Sequence, residues 1–418
     1  MQLTRRFFLK ASGIALVGLS AVPSFLARAA ATISAKGKIL VVLFQRGAAD
    51  GLNIVVPHTE KSYYELRPTI AIPRPQSGND QAALDLDGFF GFHPVLAPFN
   101  QLYDQGLLAV VHAAGSPDSS RSHFDAQDFM ETGTPGRKST PDGWLNRYLQ
   151  IPQSGTGKES SFRGVSITSQ LPRILQGPAP ALAIPNLAQF GIQAGPYTEL
   201  VSDGLEALYG SSNDTLLSPM AKETFEAVKL LKSVNPAQYR PASGVQYPPG
   251  PFGQTMLQIA QLIKSDLGVE IVFADIGGWD HHVNEGGSQG QLANLLRQFS
   301  GGISALMRDL GDRMQDTVIV TLSEFGRTAF ENGNRGTDHG HANAVFVVGE
   351  SVRGGKVYGQ WPGLAREQLF EGRDLALTTD FRDILGEVLV HHLGATNLKA
   401  VFPGYDARPE KFRRFLRA

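Results

Sequence analysis

The sequence predicts an α/β domain built on a mostly parallel sheet. Three observations carry that reading. There are five short, unbroken apolar runs, a helix-spaced pattern between the third and fourth of them, and acidic, imidazole and glycine residues gathered just past the ends of the runs. Unbroken runs of this kind mark strands buried on both faces. In open α/β sheets ligands bind beyond the carboxyl ends of such strands.

The runs are Ile39 to Phe44, Leu107 to Val111, Val269 to Ala274, Thr317 to Leu322 and Ala344 to Val348. Between the third and fourth, Gln289 to Met314 carries Leu292, Leu295, Leu296, Phe299, Ile303, Leu306, Met307 and Leu310. That spacing predicts a helix and completes a strand–helix–strand unit. Met256 to Ile263 predicts a helix leading into the third strand, and Asp380 to Leu393 a late amphipathic helix packed on the sheet. The stretch 134–250 differs. It is rich in Pro, Gly, Ser and Gln, holds one good helix at Pro219 to Ser233, and reads as a loop-rich insertion or cap.

With 418 residues, 42% hydrophobic and 18% charged, the chain can bury a sizeable core around a single sheet. Its net charge of −1 gives no reason to expect nucleic acid as a partner. The N-terminus reads Thr4-Arg5-Arg6-Phe7-Phe8-Leu9-Lys10, then a mild apolar stretch from Ala11 to Pro23, then Ala27-Arg28-Ala29. A basic start, a short apolar run and an Ala-x-Ala site form an export signal, and the paired arginines make it a twin-arginine signal. Residues 1–31 are therefore expected to be removed, leaving 32–418 as one periplasmic or secreted domain. The translocase would be a partner in export, with no stable membrane insertion afterwards. Losing Arg5, Arg6, Lys10 and Arg28 takes the net charge from −1 to −5. The chain has no cysteine, so stability after export rests on the core and on any bound metal.

The first run leads into Gln45-Arg46-Gly47-Ala48-Ala49-Asp50-Gly51. Asp50 there suits either a cation or an ordinary turn. After the second run comes Arg121-Ser122-His123-Phe124-Asp125, which predicts a helix from near Ser122 to Glu131, ended at Thr132-Gly133. Ser122 with Asp125 is helix-start chemistry, and the same place can hold a nucleophile or an anion. The third run leads into Asp275 to Glu285, with Trp279-Asp280-His281-His282, and the fourth into Ser323-Glu324-Phe325-Gly326-Arg327. Gly336-Thr337-Asp338-His339-Gly340-His341 directly precedes the fifth. Four of the ten histidines thus sit in two Asp-His motifs, a pattern that points to a divalent metal bound by imidazole and carboxylate.

These segments, with Thr379-Asp380-Phe381-Arg382-Asp383 and Phe402-Pro403-Gly404-Tyr405, resemble the bacterial DUF1501 family across the whole mature chain. Its distant kin are the alkaline phosphatase and sulfatase superfamily. The resemblance implies an alkaline-phosphatase-like, doubly wound, mostly parallel sheet with helices on both faces and one or two divalent ions (Zn, Mn, Ca or Mg). It implies Asp50, Asp280, His281 or His282, Glu324, Asp338, His339 and His341 as metal ligands. Ser122 would be the nucleophile, and Arg121 or Arg327 would grip ester oxygens. Asp275 competes with Asp280, and Ser119 and Ser120 compete with Ser122. The superfamily usually places Asp-His where this chain has Glu324-Phe325, so either Asp338-His339 supplies the missing pair from a neighbouring loop or one metal position is lost. The implied activity is hydrolysis of small phosphate or sulfate esters. A binding or scaffold protein on the same fold is the alternative, and a lyase or transferase a third.

Overall fold

A computed structural model of the chain describes residues 37–151, 162–190 and 238–417, with scattered positions between 203 and 231. The expected export signal lies outside these residues. The chain divides into two compact units, and the one formed by Lys36–Pro185 with Arg240–Ala418 carries everything below. In the other, Asn186 caps a short turn at Leu187–Gln189. Residues 225 and 227–231 are helical, within the helix expected over Pro219 to Ser233, whose remainder lies outside the described residues.

The main sheet has nine strands. They are β1 (Ile39–Gln45), β2 (Leu108–Gly115), β3 (Gly164–Ser166), β4 (Leu182–Ala183), β5 (Ile271–Ile276), β6 (Thr317–Ser323), β9 (Asn343–Val348), β10 (Lys356–Tyr358) and β11 (Thr379–Asp380). A separate hairpin, β7 (Arg327–Glu331) and β8 (Thr337–His339), falls between β6 and β9. The spatial order is β10-β2-β9-β6-β1-β5-β3-β4, with β11 beside β2. All five expected runs are strands.

β1 is central and parallel to both β5 and β6. The strand–helix–strand unit therefore steps over β1 instead of joining adjacent strands. β9 runs antiparallel to both β2 and β6. This reversal positions the site. The segment that precedes β9 emerges at the same rim as the segments that follow β1, β5 and β6, so Asp338 and His339 reach that rim although they come before their strand.

Side chains alternate between two covered faces, as the pleat requires. Leu40, Val42, Phe44, Val318, Val320, Val345 and Val347 pack with helices α3 (Trp144–Leu149) and α6 (Phe381–His391). Phe346 points the other way and meets Phe99 of α1 (Ala97–Asp104), which meets Phe299 of α5 (Gln291–Leu310). Helix α4 (Pro251–Lys264) stacks on α5 through Phe252 and Phe299. Each fully buried large aliphatic or aromatic side chain contributes about 1.5–3 kcal/mol. α5 stops at Gly311, where φ is +50°. This is the α/β architecture the sequence predicts, with helices on both faces.

The expected insertion at 134–250 is not only loop. Its first part supplies α3, fully buried under the sheet, and β3, which pairs parallel with β5 and extends the sheet. Strands of two or three residues between prolines and glycines give no readable alternation. Among the described residues no helix is long and apolar enough to cross a membrane.

Candidate metal centre

Helix α2 (His123–Thr132) begins where expected and ends at Gly133, whose φ of +66° is the left-handed stop. Ser122 is its exposed N-cap residue, but its side chain makes no capping bond. His123, the first helical residue, turns to the rim.

There it meets Asp280 and His339, and one donor atom from each of the three lies within 4.8 Å of the others. His123 Nε2 is 2.9 Å from His339 Nε2 and 3.5 Å from Asp280 Oδ2. His339 Nε2 is 3.1 Å from Asp280 Oδ1. His282 joins from the same loop as Asp280, with Nε2 2.9 Å from His339 Nε2 and 3.0 Å from Asp280 Oδ1.

The far nitrogen of each ring fixes its tautomer. His123 Nδ1 donates to Glu324 Oε1 (2.8 Å), His339 Nδ1 to the Arg121 carbonyl (2.9 Å), and His282 Nδ1 to Asp338 Oδ1 (3.1 Å). None of these partners can donate in return. In the neutral rings every Nε2 therefore carries a lone pair, and those lone pairs face one another across about 3 Å. A single proton on His339 Nε2 satisfies one such contact and leaves the other repulsive. Protonating all the rings is opposed by burial, which lowers the His339 pKa, with the neighbouring His123 adding to the effect. A cation satisfies every lone pair at once. Donors bound tetrahedrally at zinc distances stand about 3.3 Å apart, close to the spacings here. Imidazoles braced through the other nitrogen by a carboxylate or carbonyl are the usual dress of a metal-binding histidine. The residues fit a divalent cation.

Electrostatics support the carboxylates. Partial burial works against the charge of Asp280, but Arg327 overrides it and holds the carboxyl below its ordinary range. Glu324, also buried, is held low by His123 and Gln127. Conversely the hydrogen bond to Glu324 raises the pKa of His123.

A family model described as a protein of unknown function, DUF1501, matches residues 109–401. The chain belongs to the DUF1501 family. No curated protein matches it. Among solved structures, the PsFucS1 sulfatase from Pseudoalteromonas sp. is 13% identical, with 94% of this chain and 75% of that chain covered and a TM-score of 0.39. The C-terminal periplasmic domain of EcEptC from Escherichia coli, in complex with Zn, is 11% identical, with 75% and 74% covered and a TM-score of 0.35.

In this DUF1501 protein the expected site residues divide sharply. Asp280, His282 and His339 converge. Asp338 and Glu324 stand behind them as partners of the ring nitrogens. Glu324 is turned inward: Oε1 also accepts from Gln127 Nε2 and the Gly47 amide, and Oε2 from Ser323 Oγ. Phe325 packs against the rings of His123 and His339 as an apolar floor.

Five expected site residues are placed elsewhere. Asp50 is buried on Arg67, whose Nη1 and Nη2 both bond its carboxylate, so it offers nothing to the cluster. His341 is buried against the Phe370 ring. His281 is buried as well, and burial followed by the charge of Arg327 lowers its pKa to about 4. Arg327 is wholly enclosed. It donates to the carbonyls of Gly47, Ala48, Trp279 and Thr337 and to Asp280 Oδ1 (2.6 Å), which leaves no fork for an ester. Arg121 likewise pairs with Asp374 and Glu371. Asp275, the competitor for Asp280, bonds Arg46.

The sequence reading missed His123. It is one residue from Ser122, and the helix-start pattern drew attention to the hydroxyl. A third histidine in a strand-end segment was the available signal.

Proposed function

We propose that this protein is an exported, metal-dependent hydrolase of small phosphate or sulfate esters. The observation that carries the reading is the convergence of three Nδ1-braced imidazoles on Asp280. His123, Asp280, His282 and His339 would hold a divalent cation, whose Lewis acidity would polarise an ester oxygen and favour a nucleophile at neutral pH.

The remaining groups fix geometry. Glu324, Asp338 and the Arg121 carbonyl orient the rings and keep their protons on Nδ1. Arg327 aims Asp280 and keeps it ionised. Phe325 excludes water from one side of His123 and His339. Ser122, exposed beside His123, is the candidate hydroxyl for in-line attack. Export by the twin-arginine route rests on Arg5-Arg6 and the Ala-x-Ala site. The engagement of Arg121 and Arg327 with protein groups favours a second reading, a non-catalytic metal-holding scaffold.

Metal analysis of the purified protein and an ester screen separate the two. Near one equivalent of zinc or manganese is expected, lost in Asp280→Ala and His339→Ala. Turnover of a phosphate or sulfate ester, cut by about a thousandfold or more in Ser122→Ala, supports the hydrolase with a serine nucleophile. Full metal with no turnover supports the scaffold. Absence of bound metal sinks both.

A further inference from the structure

Among the described residues only three large hydrophobic side chains are exposed: Phe124 at 89%, Val283 at 51% and Phe330 at 38%. Single exposed apolar residues are common and need no explanation. All three lie in segments that carry residues of the cation site. Phe124 follows His123 in the chain, and Val283 follows His282. Phe330 sits in the hairpin that ends in His339, where Thr328 Oγ1 donates to its carbonyl and accepts from the amide of Asp338. Each exposed apolar side chain therefore adjoins a segment that supplies a donor to the cation site.

The arginines nearby are bonded to protein groups. Arg121 gives Nε and Nη2 to Asp374 and Glu371, and Arg327 is taken up by Asp280 and four carbonyls. Arg373 gives Nη2 to the carbonyl of His339. Affinity for an anion would come mainly from the cation, and the exposed apolar side chains offer contact area beside it.

We propose that Phe124, Val283 and Phe330 form an apolar rim, and that the ligand is amphiphilic: an oxyanion at the cation joined to an aryl or acyl group lying over these side chains. This rests on the metal-centre reading of the preceding section and narrows its substrate class.

The test uses zinc-loaded full-length protein and three soluble probes: methylphosphonate, phenylphosphonate and octylphosphonate. Calorimetry of zinc uptake comes first. Phenyl- and octylphosphonate are expected to bind roughly tenfold tighter than methylphosphonate, or more, for one large apolar contact. That ratio should fall to within about threefold in the Phe124→Ser/Val283→Ser double variant, whose two positions are at the surface. Equal affinities for the three probes on zinc-loaded protein overturn the rim. So does binding to phosphatidylcholine vesicles without discrimination among the probes, which would make the apolar residues a membrane contact. If no zinc is taken up, the preceding reading fails by itself. The rim is then judged by the fluorescence of anilinonaphthalene sulfonate: enhancement lost in the double variant upholds it, and equal enhancement in both proteins overturns it.

Discussion

Glu324 stands behind His123, its Oε1 2.8 Å from Nδ1, so that the proton of the ring is held on the side away from His339. The carboxylate also takes a hydrogen bond from Gln127 and one from the amide of Gly47. It is a positioning group, and its replacement should be felt through the cation. Glu324→Gln is expected to weaken zinc binding by about 10- to 100-fold. Competition against a chelator of known affinity measures this, with Asp280→Ala as the reference for near-complete loss. An unchanged constant would remove Glu324 from the site.

Gly340 lies where the hairpin recrosses the end of β6, and its amide donates to the carbonyl of Gly326. A Cβ at Gly340 would come within 2.3 Å of the Arg327 backbone, and one at Gly326 within 2.0 Å of the Ala342 carbonyl oxygen. Backbone cannot yield as a flexible side chain does. Gly340→Ala should cost about 3 kcal/mol of stability, the upper end for overpacking. It should also displace His339, so urea unfolding and zinc affinity are expected to suffer together. A stable variant with intact affinity would contradict the close crossing.

Arg67 is buried with no exposed surface, paired with Asp50. Burial, then the charge of Asp50, pushes the carboxyl of Glu285 well up, so it retains its proton beside Asp50. Arg67→Met would leave a buried carboxylate without its counter-charge. A loss of about 3–5 kcal/mol is expected. Denaturant midpoints against wild type provide the measurement, and a loss under about 1 kcal/mol would show that Asp50 is relieved by other means.

His112 is buried with Nε2 bonded to the carbonyl of Val55 and Nδ1 accepting from the amide of Ala113. Both nitrogens are satisfied in the neutral ring, and an added proton would face an N–H. Burial lowers its pKa to about 4, against 6.5 for a free ring. The unfolded chain therefore binds the proton first. The contribution is fully present above pH 6.5 and is lost as pH falls toward 4, by about 3 kcal/mol in total. Urea unfolding between pH 7 and 4 should show stability falling with acid, and His112→Asn should flatten that slope. An identical slope in the variant would assign the acid sensitivity to other buried histidines.

The five core strands could be read because each is buried on both faces and so appears as an unbroken apolar run. Helix α5 was readable because Leu292, Leu296, Phe299 and Ile303 repeat at helical spacing. The direction of β9 was not, since an apolar run looks the same in both directions. Strand β3 is too short to show a pattern. At the site, the Asp-His motifs announced Asp280, His282 and His339. The misplacement of Asp50 has a plain cause. A glycine-flanked aspartate looks the same whether it meets a cation or Arg67, and Arg67 lies 17 positions away. The tasks of Arg327 and Glu324 depend on what lies opposite them in space, which local sequence does not record.

The 216 positions that separate His123 from His339 make the cluster a non-local contact, closed at the entropic cost of a long loop. The ligand pair exists only once the hairpin after β6 has docked onto the start of α2. A ribosome-bound fragment ending before residue 339 has no complete pocket to fill. Cation capture would therefore report synthesis through His339, and chelation would remove one tie between segments that the pairing of β2 with β9 also holds together.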